Sequence, residues 1–160
     1  MINNPNGRRY PAHPLAGVAG LIFDEGRILL VQRDHEPLKG WWSVPGGALE
    51  TGETIEEGLR REVREETGLE VEILGLFEVF ESIQPDAEGR TEYHYILLDY
   101  LCRPSGGALL AASDARNAVW VGEAELPDYC ITPGTLAVVK RAFRRASGHG
   151  TEQEEKMNAT

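Results

Sequence analysis

The chain has 160 residues, of which 41% are hydrophobic and 26% charged, and this length suits a single domain with an adequate core. Lys and Arg total 16 against 26 Asp and Glu, and the net charge of −10 argues against nucleic acid as the main partner. No apolar run approaches the roughly 20 residues of a membrane-spanning helix, and the two cysteines lack disulfide or metal-ligand spacing. We therefore expect a cytoplasmic protein that binds neither membranes nor nucleic acid.

The first half of the chain predicts a β-hairpin, a loop and a short strand. Two apolar runs over residues 16–23 and 27–32 flank the turn signal Asp24-Glu25-Gly26, a pattern that is typical of a hairpin. Residues 33–40 are polar and contain Pro and Gly, so they predict a loop. Residues 42–44 predict a short strand, which the following Pro-Gly-Gly sequence should end.

The clearest predicted helix covers residues 54–67. Thr54 and Glu57 have the spacing of a capping box, and Gly68 is a typical residue at the end of a helix. The other predicted elements are a strand over residues 69–80, a turn or loop over 84–90, a strand over 93–102, a weak strand over 119–121 and a helix over 132–145. The expected organisation is an N-terminal extension over 1–14, one mixed α/β domain over 15–146 and a disordered tail over 147–160.

The acidic residues are concentrated in one segment. Residues 47–72 contain nine Glu and three Arg, which supply −6 of the net charge of −10. A helix advances about 100° per residue, so Glu62, Glu65 and Glu66 share an arc of about 100° along the edge of its apolar face. Gly58, one turn earlier, indicates close approach of another segment, because a glycine there weakens the helix by roughly 1 kcal/mol. The residues expected to face the core are Ile55, Leu59 and Val63.

Three carboxylates at this spacing need compensation, because each pair of like charges destabilises a helix by a few tenths of a kcal/mol. One interpretation is a solvated helix with ion pairs, which is the usual meaning of a charged helical segment. The other is a site for Mg²⁺, which takes oxygen ligands and binds through a few carboxylates together with water and substrate phosphates. Mn²⁺ accepts the same ligands, so the choice between the two cations stays open.

The three glutamates belong to a longer pattern with nine specified positions. These positions hold Gly47, Glu53, Arg61-Glu62-Val63, Glu65-Glu66 and Gly68-Leu69. The pattern resembles the Nudix box, which is Gly, five residues, Glu, seven residues, then Arg-Glu-aliphatic-any-Glu-Glu-any-Gly-aliphatic. Chance agreement at every position is on the order of one in a hundred million. The resemblance extends over residues 14–145 and includes the hairpin and the Trp-Ser-Val-Pro-Gly-Gly sequence before the box.

The resemblance to the Nudix family implies a fold and a set of site residues. The expected fold is an α/β/α sandwich with a mixed sheet, in which the box forms a loop–helix–loop. Glu53 and Arg61 match a pair that orients the helix and the catalytic loop, so we expect them to give structural support. The catalytic and metal-binding residues implied by the match are the side chains of Glu62, Glu65 and Glu66, with the backbone carbonyl of Gly47 as a further metal ligand.

The resemblance also implies a reaction, which is hydrolysis of a nucleoside diphosphate linked to another moiety. A metal-activated water attacks one phosphorus of the pyrophosphate, and a nucleotide monophosphate or its equivalent leaves. The general base varies within the family, and Glu65 is our first candidate for it. The alternative is a glutamate on a later loop, for which the sequence offers Glu81, Glu88, Glu92 and Glu123.

Residues outside the box bear on the substrate. In the family, a proline sixteen positions past the box is associated with ADP-ribose hydrolysis, and Pro85 stands sixteen residues after Leu69. An ordinary turn explains this proline equally well. Arg33 is a candidate for binding phosphate, with a solvated position at the end of a strand as the alternative. Trp41 is a candidate for stacking on a base, whereas Trp42 is expected to point inward.

Two other functions stay compatible with the sequence. A housecleaning nucleoside triphosphate pyrophosphatase would use the same residues. A non-catalytic module that senses a nucleotide sugar is the second alternative, although such sensors usually have a degraded box and this box is intact. In each case the expected partner is a small nucleotide. The sequence leaves the oligomeric state open, with a homodimer as one option.

Overall fold

The structure, a computed structural model, describes residues 7–34, 38–110 and 115–146. The predicted tail at 147–160 and residues 1–6 of the predicted extension lie outside the described residues. The elements in chain order are β1 (Leu15–Asp24), β2 (Arg27–Arg33), β3 (Trp42–Ser43), β4 (Gly46–Ala48), α1 (Ile55–Thr67), β5 (Leu69–Pro85), β6 (Thr91–Gly107), β7 (Ala115–Gly122), a 3₁₀ helix (Glu123–Asp128) and α2 (Pro133–Ala146). Within the described part, neither α-helix has the length and hydropathy needed to cross a membrane.

Strand β1 lies at the centre of a seven-stranded mixed sheet. Residues 17–22 of this strand are all buried, as expected for a strand that is covered on both faces. On one edge β1 runs parallel to β6, and β5 continues the sheet antiparallel to β6. The other edge of β1 is divided, because β4 pairs with residues 17–19 and β2 pairs with residues 23–24. Strands β3 and β7 both pair with β2.

The predicted hairpin is correct at its turn and wrong beyond it. β1 and β2 pair at Phe23–Ile28 and Asp24–Arg27, after which the two strands take different partners. The cause is β4, a strand that the Pro-Gly-Gly sequence was expected to exclude. Glycine allows this strand to lie against β1, because a Cβ atom on Gly46 would overlap the backbone of Val18 and Ala19.

The two α-helices cover opposite faces of the sheet, which confirms the expected α/β/α sandwich. Under α1 lies an apolar cluster that includes Val18, Ile22, Leu29, Leu59, Val63 and Cys102. Under α2 lies a second cluster that includes Leu21, Ile28, Leu30, Val121, Val139 and Phe143. Successive residues of β1 and β2 alternate between the two clusters, as the period of a strand requires. Trp42 packs against the second cluster, in agreement with its expected inward position.

Helix α1 begins and ends where its sequence signals indicate. The N–H of Glu57 donates to Thr54 Oγ1 at 3.3 Å, and the N–H of Thr54 donates to Glu57 Oε2 at 2.7 Å, which completes the capping box. Gly68 ends the helix with a left-handed backbone (φ of 73°), and its N–H donates to the Arg64 carbonyl.

Three predicted strands were too short because strand pairing extends elements beyond their sequence signals. β6 covers Thr91–Gly107 instead of 93–102, because it pairs with β5 at both ends. β5 continues to Pro85, which pairs with Thr91, so the loop predicted at 84–90 is confined to residues 86–90. β7 covers Ala115–Gly122 instead of 119–121, because its first residues pair with β2. The Asn117 side chain also donates to Gln32 Oε1 at 2.7 Å across these strands.

The apolar face of α1 is narrower than predicted. Leu59 and Val63 are fully buried, whereas Ile55, also predicted to face the core, is 37% exposed. Ile55 is the first residue of the helix, and at this end of α1 its side chain is not covered by the sheet.

Truncation of Leu59 should lower the free energy of unfolding more than truncation of Ile55 does. Leu59→Ala is expected to lower the free energy of unfolding by about 2–5 kcal/mol, because it leaves a cavity in a closed core. Ile55→Ala, on the same helix, should cost less than about 1 kcal/mol. Urea denaturation followed by circular dichroism measures both values, and equal losses would contradict the burial difference.

Candidate active site

Strand β4 places two glycines directly against helix α1. The carboxylate of Glu66 accepts a hydrogen bond from the backbone N–H of Gly46, with 2.9 Å between Oε2 and N. Gly47 packs so closely on Glu62 that a Cβ atom at residue 47 would lie 2.5 Å from the carboxyl carbon. The structure therefore brings together the N-terminal glycine of the box and two of its glutamates. A larger residue at position 47 would displace the Glu62 carboxylate.

The register of β4 decides which backbone carbonyl is turned away from the sheet. On either side of residue 47 the ladder bonds run from the N–H of Gly20 to the carbonyl of Pro45 and from the N–H of Leu49 to the carbonyl of Ala16. Hydrogen-bonded pairs recur at every second residue, so Gly47 and Val18 form such a pair and the Gly47 carbonyl faces β1. The Gly46 carbonyl is turned away from β1. This geometry favours Gly46, which sequence reasoning missed, as the carbonyl donor of a cation site.

Arg61 joins the helix to the loop that precedes it. Its Nη2 donates to Glu53 Oε1 at 2.7 Å, and its Nε donates to Glu53 Oε2 at 3.0 Å, which is the two-point geometry that guanidinium and carboxylate favour. The same Nη2 donates to the carbonyl of Ala48 at 3.2 Å. The N–H of Glu50 donates to Glu53 Oε1 at 2.7 Å, so the Glu53 carboxylate is bonded both to its own loop and to the helix. These bonds to Arg61 and Glu50 lower the pKa of Glu53 to about 2.

The same guanidinium also compensates the clustered carboxylates. Arg61 Nη1 donates to Glu62 Oε1 at 2.9 Å and lies 3.4 Å from Glu65 Oε2. Bonds to Glu53 and Glu62 raise the pKa of Arg61 well above its usual range. The Glu62 side chain is 16% exposed, while that of Glu65 is 49% exposed. The ion pairs expected of a charged helix are therefore present, and they neutralise part of the charge that a cation site would use.

Gly58 explains how the loop comes so near to the helix. A Cβ atom at this position would lie 2.5 Å from Leu49 Cδ2 and 2.7 Å from Glu53 Oε1. The close approach inferred from the sequence is therefore present, and the approaching groups are the loop side chains. Glycine weakens the helix by roughly 1 kcal/mol, and the packing of the loop offsets that cost.

The donor set has the chemistry of a site for a hard cation. Carboxylate oxygens of Glu62, Glu65 and Glu66 lie on one edge of α1, next to the Gly46–Gly47 backbone. Across the three described stretches of chain, no three acidic, His or Cys side chains converge into a complete metal-binding cluster. Arg61 holds Glu62 and Glu65, while Glu66 is turned to Gly46. These carboxylate oxygens are of the kind that a divalent cation binds. In this structure two of the three carboxylates, those of Glu62 and Glu65, contact the Arg61 guanidinium.

The structure brings two of the three predicted substrate contacts together. Arg33 is exposed at the end of β2, and its N–H donates to the carbonyl of the half-buried Trp41 at 2.9 Å. Pro85 is exposed at the end of β5, in a different part of the sheet. Its neighbour Asp86 accepts hydrogen bonds from the Tyr10 hydroxyl and from Arg90 Nε, both at 2.8 Å. The turn that follows Pro85 is therefore tied to the N-terminal segment.

The alternative general bases differ from Glu65 in their partners. Glu65 touches Arg61 through the longest contact of that network, at 3.4 Å. The later candidates have other neighbours: Glu81 lies 3.2 Å from His94 Nε2, Glu88 lies 3.1 Å from Arg90, Glu92 lies 2.7 Å from Arg9, and Glu123 begins the 3₁₀ helix. Glu65 is thus the candidate that combines exposure with a place beside the other box glutamates.

Sequence reasoning missed one buried acid. Asp99 of β6 is 4% exposed, and burial raises its pKa to about 7, with the charge of Glu78 adding to the rise. The signal was present in the alternation of β6, where Leu97, Asp99 and Leu101 share the face that α2 covers. A carboxyl group at a position that periodicity assigns to the core is unusual.

The Arg61–Glu53 pair should make stability depend on acid pH. Because the folded-state pKa of Glu53 is depressed to about 2, its contribution is present above the unfolded pKa of about 4.5 and is lost as the pH falls toward 2. Glu53→Gln should therefore lower the Tm at pH 7 and have a smaller effect at pH 2.5. Scanning calorimetry at the two pH values measures this, with Glu56→Gln, on the first turn of the adjoining helix α1, as the control. An equal loss at both pH values would show that the ion pair is not responsible.

Comparisons with known proteins agree on a family. The model of the NUDIX domain matches residues 13–143. An ADP-ribose pyrophosphatase of Methanocaldococcus jannaschii is 38% identical over 115 residues, which are 72% of this chain and 66% of the relative. The 8-oxo-dGDP phosphatase NUDT18 of Homo sapiens is 33% identical over 138 residues, or 82% of this chain and 40% of the relative. The crystal structure of a MutT NUDIX hydrolase from Burkholderia pseudomallei has a TM-score of 0.70 and 29% identity, covering 80% of this chain and 97% of that one.

The share of each relative that this chain covers limits what can be concluded from the matches. The chain spans slightly less than two thirds of the archaeal relative, at 66%, and less than half of the human one, at 40%. The domain match, in contrast, includes every strand and nearly all of both helices. With its intact box, its sandwich fold and this match, the chain belongs to the Nudix family of hydrolases, pyrophosphohydrolases that act on phosphoric anhydride bonds of small nucleotides and generally use a divalent metal such as Mg²⁺.

Proposed function

We propose that the protein is a Mg²⁺-dependent pyrophosphohydrolase that cleaves a nucleoside diphosphate linked to another moiety, with ADP-ribose-like substrates preferred. The observation that carries this proposal is the packing of Glu62 and Glu66 on Gly47 and Gly46, with Arg61 between Glu62 and Glu65. Like charges along this edge of α1, beside strand β4, repel each other, and the single Arg61 guanidinium offsets only part of that repulsion. This edge suits a cation that accompanies a phosphate substrate.

The residues proposed to hold the cation are Glu62, Glu65 and Glu66, together with the backbone of the Gly46–Gly47 pair. When bound, a divalent cation supplies a polarised water at neutral pH and neutralises charge on the phosphate oxygens. Mn²⁺ offers the same coordination and is expected to substitute. Arg61 and Glu53 have a positioning role, since their bonds hold the loop and the carboxylates in register without contacting the substrate.

The proton of the attacking water is proposed to pass to Glu65. The Glu65 side chain is 49% exposed, and within the described stretches of chain its one polar contact is the 3.4 Å approach to Arg61 Nη1, so this carboxylate can turn toward the water. Arg33 is proposed to bind a phosphate oxygen, and Trp41, linked to it by a backbone hydrogen bond, to stack on a planar part of the substrate.

Two observations support ADP-ribose as the preferred substrate. The archaeal relative at 38% identity is named an ADP-ribose pyrophosphatase, and Pro85 has the position that the family associates with this substrate. The human relative at 33% identity is named an 8-oxo-dGDP phosphatase, which favours a second candidate. That candidate is a housecleaning enzyme that hydrolyses damaged nucleoside di- or triphosphates with the same box.

Replacement of one box glutamate should separate catalysis from mere binding. Glu66→Gln is expected to lower kcat/KM for ADP-ribose by about 100-fold or more, because the variant loses a carboxylate that would hold the cation needed to neutralise charge on the phosphate. Glu56→Gln, on the same helix and paired with Arg60 at the surface, is the matched control and should change activity by less than about twofold. Unchanged hydrolysis in Glu66→Gln would refute the catalytic role and favour a sensing module.

A substrate panel tests the specificity. ADP-ribose, NADH, diadenosine polyphosphates, 8-oxo-dGDP and 8-oxo-dGTP are assayed side by side with Mg²⁺, with Mn²⁺ and with EDTA, and the products are identified by chromatography. We expect ADP-ribose to be cleaved to AMP and ribose phosphate and EDTA to abolish turnover. Hydrolysis of only the oxidised nucleotides would replace the first candidate by the second. Turnover in EDTA would contradict the requirement for a metal.

A further inference from the structure

The ribbon formed by β5 and β6 extends past helix α1, which leaves part of one face uncovered within the described chain. Both strands have 17 residues, and α1 covers the part of this face where Val71 and Cys102 are buried. Cross-strand partners lie on the same face of a sheet, so the pairing of β5 with β6 identifies the residues of the uncovered part. We call this part the ribbon face, and its apolar residues are Leu76, Val79 and Ile83 of β5 and Ile96, Leu98 and Tyr100 of β6.

The ribbon face exposes a group of large apolar side chains. Leu76 is 48% exposed, and Val79 and Ile83 are each 56% exposed. Together with Leu74, which is also on β5, they are four of the seven large apolar side chains that are exposed in the described part of the chain. Single exposed apolar residues are ordinary, whereas a contiguous group of them marks a surface that binds a partner.

The outer edge of β5 is a poorer contact than the ribbon face. Among the described residues no strand pairs with this edge, and unpaired backbone groups of an edge can bind a further strand. However, register shifts between Ile73 and Gly75 and between Leu76 and Glu78 interrupt the regular backbone of β5. Bulges of this kind protect edge strands from pairing with other chains. A partner is therefore expected to contact the side chains of the ribbon face.

The ribbon face carries much less charge than the chain as a whole. Its acid is Glu81, and Oε1 of this residue lies 3.2 Å from Nε2 of His94 on the same face. Glu78, on the opposite face of β5, accepts two hydrogen bonds from Arg141 of α2, at 2.6 and 2.9 Å. Two copies of a chain with a net charge of −10 repel each other, so they associate most easily through a surface with little charge.

The segments of the chain outside the described residues are poor candidates to cover the ribbon face. These segments are residues 1–6, 35–37, 111–114 and 147–160. Their large apolar residues are Met1, Ile2 and Met157. Three such residues in separate segments do not match six apolar side chains on two adjacent strands. A second copy of the chain, in contrast, offers the same six side chains.

We propose that the ribbon face is the contact between two copies of this chain in a symmetric homodimer. A two-fold axis uses the same patch on both copies, so six apolar side chains meet their equals. The span from Leu76 to Ile83 measures about 25 Å and is two strands, or about 10 Å, wide. This surface is smaller than the roughly 800 Å² per partner of stable complexes, so the dimer should depend on concentration. The dimer does not depend on the proposed function, because no box residue takes part in the contact.

Sedimentation velocity of the full chain tests the association directly. Between about 5 and about 500 µM, the measured mass should rise from 17.7 kDa toward twice this value, because a contact of this size predicts a Kd in the micromolar range. A monomer throughout this range would overturn the proposal. The ribbon face would then belong to a different protein or to a segment of the chain outside the described residues.

Substitution of Val79 assigns the contact to the ribbon face. Val79→Asp places a carboxylate beside Glu81 and should raise the Kd of the dimer by at least about tenfold, because an unpaired charge in an apolar contact is costly. Leu110→Asp is the matched control. It replaces an apolar residue that is 65% exposed beyond the far end of β6, adds the same charge, and should leave the Kd within about twofold.

A second variant keeps the test decisive if the aspartate disturbs the strand. The double variant Val79→Thr, Ile83→Thr keeps β-branched side chains that suit a strand and removes apolar surface from the ribbon face. It should also raise the Kd by at least about tenfold, since both side chains would be buried in the dimer. Circular dichroism and the Tm verify the folding of each variant. A dimer that persists unchanged in both variants would overturn the proposal.

Salt separates an apolar contact from one that ion pairs hold. Raising NaCl from about 50 to about 500 mM screens the repulsion between two negatively charged copies, so the Kd of the dimer should fall or stay the same. A Kd that rises more than about threefold would show that ion pairs hold the dimer, and it would contradict the assignment of the ribbon face.

Discussion

The interaction on which the rest of the site depends is the bonding of the Arg61 guanidinium to glutamates on two sides. Toward the loop it makes two hydrogen bonds to Glu53, and toward the helix it contacts Glu62 and Glu65. Arginine suits this place because its planar fork reaches several carboxylate oxygens at once and stays charged at every relevant pH. Without it, the loop would lose its anchor and the acidic edge of α1 would repel itself.

This arrangement is possible because three glycines remove side chains where the backbone must come close. Gly58 leaves room for Glu53 and Leu49, Gly47 for the Glu62 carboxylate, and Gly46 for the backbone of β1. The first two contacts join the loop and β4 to α1, and the third joins β4 to β1. The glycines weaken local structure, and the ion pairs and the sheet hydrogen bonds offset that loss.

The two faces of the sheet differ in the residues that they present to the helices above them. On the α1 face, packing of Leu59 and Val63 fixes the helix that carries the carboxylates. On the α2 face, a small cavity with Asp99 in its wall adjoins β3 and β4, which lead to the same glycines. The sheet therefore has a cluster of carboxylates beside it on one face and a mainly apolar cavity on the other.

The amino-acid sequence by itself determined what depends on local spacing. It specified the limits of α1 through Thr54 and Gly68 and the shared edge of Glu62, Glu65 and Glu66, because these follow from helix geometry and residue chemistry. The expected class of reaction came from the resemblance of the box to the Nudix pattern. Strand pairing could not be predicted from local spacing. The separation of β1 from β2, the strand at Gly46–Ala48 and the extension of β5 to Pro85 depend on partners far along the chain.

Only the tertiary structure decided how the charged groups are used. Arg61 could have bound any of several nearby glutamates, and its choice of Glu53 depends on a loop whose approach is set by Gly58 and β4. Asp99 is one acid among 26 Asp and Glu in the sequence, and its isolation in a cavity results from α2 and from the capture of Arg141 by Glu78. Hydrogen-bond partners and desolvation arise from contacts between distant segments, and local spacing does not encode them.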